Sequence, residues 1–121
     1  MEVRIKTNDF TMSEEVGAYL DERLAHVEKL LGDTAALARC EVEIGRDAGK
    51  PRHGEHIWFA EITVIRPGEE TLRATNRAES INGAIDDVRD EMSRQIKSEK
   101  QIHRRFMKKS GELAKRLLRL Q

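Results

Sequence analysis

Chemistry in this chain is most concentrated in "RQIKSEKQIHRRFMKK", residues 94–109, where Arg94, Lys97, Lys100, Arg104, Arg105, Lys108 and Lys109 face a single acid, Glu99. At 100° per residue, Arg94, Lys97, Lys100, Arg104, Arg105 and Lys108 fall within a helical sector about 140° wide. Cations held in such a row repel one another unless a polyanion faces them, and the planar fork of arginine suits phosphate oxygens. The plain alternative is a solvated helix face whose last turn complements the helix dipole. That dipole accounts for one turn, whereas the row covers four, so the pattern points to nucleic-acid contact.

Total charge conceals this feature. The 121 residues balance to zero, but residues 1–93 hold 12 Lys+Arg and 20 Asp+Glu, while residues 94–121 hold 10 and 2. The two parts therefore carry −8 and +8. A local field acts over roughly one Debye length, about 8 Å in physiological salt, so the acidic part does not cancel the basic one at a docking surface.

Other chemical readings are weaker. "GRDAGKPRHG", residues 45–54, has three residues between its glycines and Pro51 after Lys50, which does not fit a Walker loop. It reads instead as a basic hairpin loop in which Lys50 and Arg52 add phosphate contacts. His53 and His56 flank Glu55 without a third ligand at a recognised spacing, so no metal site is assigned. Cys40 is the only cysteine, which excludes an internal disulfide and multi-cysteine zinc sites, and it falls on the inward row of a strand where a thiol fills space. His26 and His103 have no evident Ser or Cys partner. No enzymatic activity, cofactor or small-molecule substrate is expected.

The elements that must carry these residues follow from periodicity. In "EVRIK", Val3 and Ile5 alternate with charged residues, predicting a half-buried first strand. Thr11 or Ser13 can cap a helix with Glu14 and Glu15 in its first turn; Val16, Tyr19, Leu20, Leu24, Val27, Leu30 and Leu31 form its stripe, edged by Arg23, and Gly32 ends it. Cys40, Val42 and Ile44 alternate along a second strand. Trp58, Ala60, Ile62 and Val64 line one face of a third, and Phe59 on its other face would offer a stacking platform. "RPGEE" signals a turn into a fourth strand, with Leu72 and Ala74 inward. From Ser80, a candidate N-cap, Ile81, Ile85, Val88, Met92 and Ile96 define a long final helix; Gly111 is a fraying point before "ELAKRLLRL".

The order β-α-β-β-β-α predicts one α+β domain, a two-layer sandwich with both helices on one face of a four-stranded mixed sheet. The first two strands, joined through a helix, are expected to be parallel and the rest antiparallel. The division is residues 1–105 for the α+β domain and 106–121 for a basic amphipathic tail. No apolar run is long enough to span a membrane, and the start lacks a signal peptide, so a cytoplasmic protein without membrane contact is expected.

"SINGAIDDVRDEMSRQIKSEK" resembles the helix of the ribosome hibernation promoting factor and ribosome-associated inhibitor family, the sigma-factor modulation proteins. Ala84, Ile85 and Asp86 supply one family motif, and Arg94, Gln95 and Ile96 the other. "LRATNRAES" and "MSEEVGAYLDERLAHVEKLL" extend the likeness to about residues 2–105, in the short form of the family. The resemblance implies a fold similar to the double-stranded RNA-binding domain and binding to small-subunit ribosomal RNA, in the channel of messenger and transfer RNA. It also implies inhibited translation or stored ribosomes under stress, with Arg23 and Lys29 of the first helix as further contacts. The chain departs from the family at Ser98, Glu99 and Ile102, where lysines are frequent, and at Asn82, where an aromatic residue is. A competing reading is a protein-interaction module: Phe106, Leu113, Leu117 and Leu120 would anchor the tail on a partner or form a weak homo-oligomer.

Overall fold

In a computed structural model, residues 1–47 and 57–119 are described. Strand β1 (Glu2–Asn8) leads to helix α1 (Glu14–Leu31), a short 3₁₀ turn (Gly32–Leu37), strands β2 (Arg39–Arg46), β3 (Trp58–Ile65) and β4 (Leu72–Ala78), and helix α2 (Ile81–Arg119). The four strands lie in sequence order, with β1 parallel to β2 and the other two pairs antiparallel. This is the predicted α+β arrangement.

Local chemistry explains the boundaries. Ser13 caps α1, its hydroxyl accepting from the Val16 amide at 3.2 Å, and Glu14 and Glu15 occupy the first turn. Gly32 ends the helix at φ 59°, a left-handed conformation suited to glycine, and its amide donates to the Lys29 carbonyl. The 3₁₀ turn that follows has no periodic signature in the sequence. Ser80 starts α2, accepting from the Gly83 amide at 3.0 Å. At Gly45 a Cβ would collide with the Asn8 carbonyl oxygen of the neighbouring strand, so the close approach of β1 and β2 requires glycine there.

The core forms where these patterns meet. Cys40, Val42 and Ile44 of β2, Ala60, Ile62 and Val64 of β3, and Ala74 and Ala78 of β4 pack against Leu20, Leu24, Val27 and Leu31 of α1 and Ala84, Ile85, Val88, Met92 and Ile96 of α2. Burial pushes the Cys40 thiol up to about 11, as expected of a core thiol and not of a nucleophile.

Two expectations need correction. Val3 and Ile5 share the inward row of Cys40 and Val42 but remain 39% and 43% exposed. α2 packs mainly on β3 and β4 with α1 beside it, and the edge strand β1 is left exposed along its length. Gly111 does not interrupt α2, whose 39 residues span about 58 Å. Glycine at an exposed interior position costs only ~1 kcal/mol, and the surrounding Glu, Leu, Ala, Lys and Arg favour helix. Among the described residues no helix is long and apolar enough to cross a membrane.

Candidate nucleic-acid interface

α2 leaves the sandwich near Lys100, and every described residue from Gln101 to Arg119 is exposed. The basic strip therefore begins on the body of the domain and continues along a projecting rod. Lys97, Lys100, Arg104, Arg105, Lys108 and Lys109 make no salt bridge among the described residues. Arg94 is the exception, donating from Nη2 to Glu91 at 2.7 Å, yet its side chain stays 68% exposed. That neighbouring guanidinium, with Gln95, holds the Glu91 carboxyl below its ordinary range.

Glu99 is the acid that ought to weaken the strip, and it is engaged elsewhere. Arg66, at the end of β3 and with only 5% of its side chain exposed, donates to both Glu99 oxygens at 2.7 and 2.9 Å and to the Glu70 carbonyl at 3.1 Å. The Arg66 hydrogen bonds outweigh burial and hold the Glu99 carboxyl below the usual carboxylate range. The bidentate fork thus ties the β3–β4 turn to α2 and supplies Glu99 with a charged partner outside the basic strip. Sequence reasoning treats "RPGEE" only as a turn and misses Arg66, because its partner lies 33 residues away.

At the other end of the interface α1 and α2 run side by side in the same direction. Tyr19 Oη donates to Asp86 at 2.6 Å, and Arg23 Nε donates to the other carboxylate oxygen at 3.1 Å while its guanidinium stacks 3.6 Å from the Tyr19 ring. Burial raises the Asp86 carboxyl, but these hydrogen bonds prevail and its net shift is downward. Arg23 is therefore committed to joining the helices, and the structure separates it from the basic strip. Lys29 behaves differently. It is exposed on the last turn of α1, at the end where Leu31 and Thr34 line a cleft of ≈ 260 Å³ of mixed charge, with Arg66, Lys100, His103 and Arg104 beside Glu69 and Glu99.

The remaining sequence candidates are dispersed. Lys50, Arg52, His53, Glu55 and His56 lie outside the described residues, as does Leu120. Phe59 is half-buried on the outer sheet face, with the Arg77 guanidinium 5.8 Å from its ring and Arg77 itself paired to Asp47. On the rod, Ile102, Phe106, Met107, Leu113, Leu117 and Leu118 are exposed large apolar residues. Chemically, the arrangement offers a linear series of cations at helical spacing, suited to phosphates along a polyanion, with an apolar face on the rod beside it.

Solved structures share the fold. The chain is similar to the crystal structure of the Thermus thermophilus Protein Y N-terminal domain, with a TM-score of 0.64 and 22% identity, covering 81% of this chain and 98% of that one. It is also similar to a ribosomal subunit interface protein from Coxiella burnetii, with a TM-score of 0.65 and 11% identity, covering 84% and 99%. A search of curated proteins finds no match. Residues 3–104 match the model of the family described as Sigma 54 modulation protein / S30EA ribosomal protein, and the chain belongs to that family.

Proposed function

We propose that this chain is a non-enzymatic ribosome-binding protein that lays the basic strip of α2 on small-subunit ribosomal RNA. There it occupies the messenger and transfer RNA channel, inhibiting translation or storing ribosomes under stress in the cytoplasm. The observation that carries this reading is the row Lys97, Lys100, Arg104, Arg105 and Lys108, which lacks salt bridges among the described residues, while Glu99 pairs with Arg66. Family membership supports it, and so does the likeness in fold to the ribosomal subunit interface protein from Coxiella burnetii. Lys29 extends the contact from α1, and Lys50 and Arg52, which follow β2 in the sequence, add to it. Arg23, spent on Asp86, contributes indirectly by fixing the angle between the helices.

The reading has a quantitative test. Neutralising about six phosphates gives a log-log dependence of affinity on salt of roughly −4 to −5. Ribosome co-sedimentation of the full chain is expected to fall with that slope and to be abolished when Arg94, Lys97, Arg104 and Lys108 all become Glu. Binding that ignores both salt and those substitutions would overturn it. A translation assay and a sucrose-gradient profile then separate channel occupancy from attachment elsewhere on the particle.

A second reading rests on the exposed Phe106, Leu113 and Leu117, which phosphate contacts leave uncovered. The rod then acts as an interaction module, anchoring a partner chain. Leu113→Glu with Leu117→Glu should remove such a partner while leaving ribosome binding and its salt slope unchanged.

A further inference from the structure

The two edges of the sheet are finished differently. α2 lies along β4, and Gln95 Nε2 donates to the Arg73 carbonyl at 2.9 Å, so that edge is partly engaged. All seven residues of β1 are exposed, and the half-exposed Val3 and Ile5 belong to a row whose β2 members, Cys40 and Val42, are buried. The Glu2 amide donates to the Ala38 carbonyl at 3.0 Å. Even-numbered residues of β1 therefore turn their backbone groups toward β2, and Val3, Ile5 and Thr7 turn theirs to the open edge. That edge has no proline, no bulge and no inward-pointing charge; its charged residues, Glu2, Arg4 and Lys6, all lie on the outer face and leave Val3 and Ile5 on the inward row.

Its residues are also self-complementary. If a second copy of β1 pairs antiparallel about a two-fold axis at Arg4, Val3 faces Ile5 of the second copy, and Glu2 faces Lys6 of the second copy. Each relation occurs twice by symmetry. The Val3 and Ile5 pairs are the ones whose backbone groups point outward, so they are the hydrogen-bonded pairs, and their four side chains gather on the helix side of the seam. A two-fold axis at Ile5 would set Arg4 against Lys6 twice; one at Val3 would set Glu2 against Arg4 but would pair only residues 1–5 instead of 1–7, and would draw on Met1, which packs against the core and pairs through its ammonium with Glu28. The favoured register brings Arg4 against itself, a repulsion reduced by the Glu2 carboxylate that already accepts from Arg4 Nε at 3.0 Å.

From these relations we infer that β1 is the seam of a symmetric dimer, in which two four-stranded sheets join into one of eight strands. The seam is independent of the basic strip and of the apolar face of the rod. A short strand pair makes a small interface, so dimerisation is weak and depends on concentration.

The test uses the full chain. At the two-fold axis the Arg4 positions form a non-hydrogen-bonded pair with Cα atoms about 4.5 Å apart, within the range that a disulfide spans. Mild oxidation of the Arg4→Cys variant should give a cross-linked dimer, whereas Lys6→Cys, which faces Glu2 of the second copy and not itself, should remain monomeric. Cys40 is buried and does not compete. In sedimentation velocity the wild type should shift from monomer to dimer as concentration rises. Ile5→Lys should lose that shift with an unchanged melting temperature, and Leu113→Glu with Leu117→Glu should keep it. A wild type that stays monomeric throughout, cross-linking at Lys6→Cys as efficient as at Arg4→Cys, or a dimer lost through the rod substitutions would overturn the inference. So would loss of ribosome co-sedimentation in Ile5→Lys with no dimer in the wild type, since the edge would then serve the ribosome.

Discussion

The first and last parts of α2 are one continuous helix with opposite relations to their surroundings. From Ile81 to Ile96 it presents Ala84, Ile85, Val88, Met92 and Ile96 to the sheet and α1, turns Asp86 toward Tyr19 and Arg23 of α1, and carries Asp87 and Asp90 on its outer face. From Gln101 to Arg119 every described residue is exposed, and the outer face is basic. A free peptide of that length would be a marginal helix in water, because forming the first turn is costly. Here the anchored part supplies the nucleus and the rod only propagates it. Burial thus fixes the direction in which the cations project, and the cations need no packing of their own.

Substitutions that separate packing from projection sharpen this contrast. The largest effect is expected at Met92, which is fully buried between the layers. Met92→Ala should cost about 2–5 kcal/mol in denaturant unfolding, whereas Leu113→Ala on the rod should stay within roughly 0.5 kcal/mol. Equal losses at the two sites would mean that the rod is packed against something in the free protein.

Next in size is the junction of the two parts, where Arg66 holds Glu99. Glu99→Gln leaves a nearly buried guanidinium without its charged partner and should cost about 1–3 kcal/mol, less than a fully buried pair because Glu99 is itself partly exposed. Since the folded Glu99 carboxyl lies below its ordinary value, the stability it contributes is complete above the unfolded value, near 4.3, and is lost as pH falls through the folded one. The wild type should therefore lose more stability than Glu99→Gln on acidification below about pH 4. Parallel pH profiles would remove Glu99 from the account.

Much of this organisation is legible in the sequence, because period-2 and 3.6-residue patterns report which side of an element faces inward. They identified the inward rows of β2 and β3, the buried stripe of α2, and the angular grouping of its cations. They do not report whether another element covers that side, which is why Val3 and Ile5 read as half-buried although β1 is left exposed along its length. Nor do local patterns reveal side-chain pairs between distant elements. Arg23 reads as a surface cation until Asp86, 63 residues away, accepts its hydrogen bond, and Arg66 reads as part of a turn until Glu99 is placed beside it.

A smaller effect is expected within the rod itself. A Cβ at Gly111 meets no atom within 4 Å, so Gly111→Ala removes a flexible residue without a clash. Local helix stability should rise by ~1 kcal/mol, visible as slower amide exchange beyond residue 111. The denaturant midpoint of the body should not move. A change in that midpoint would show that rod and body unfold as one unit and would erase the distinction between them.

The smallest change in stability is expected at Arg94, where the basic strip meets the anchored part of α2. Its pair with Glu91 is exposed, and such pairs contribute about 0–1 kcal/mol, so Arg94→Gln should leave the melting temperature almost unchanged. Ribosome binding should respond differently, because one phosphate contact fewer makes the log-log salt dependence shallower by roughly 0.7–0.9. A stability loss with an unaltered slope would assign Arg94 to the folded body alone and move the start of the RNA-facing strip to Lys97.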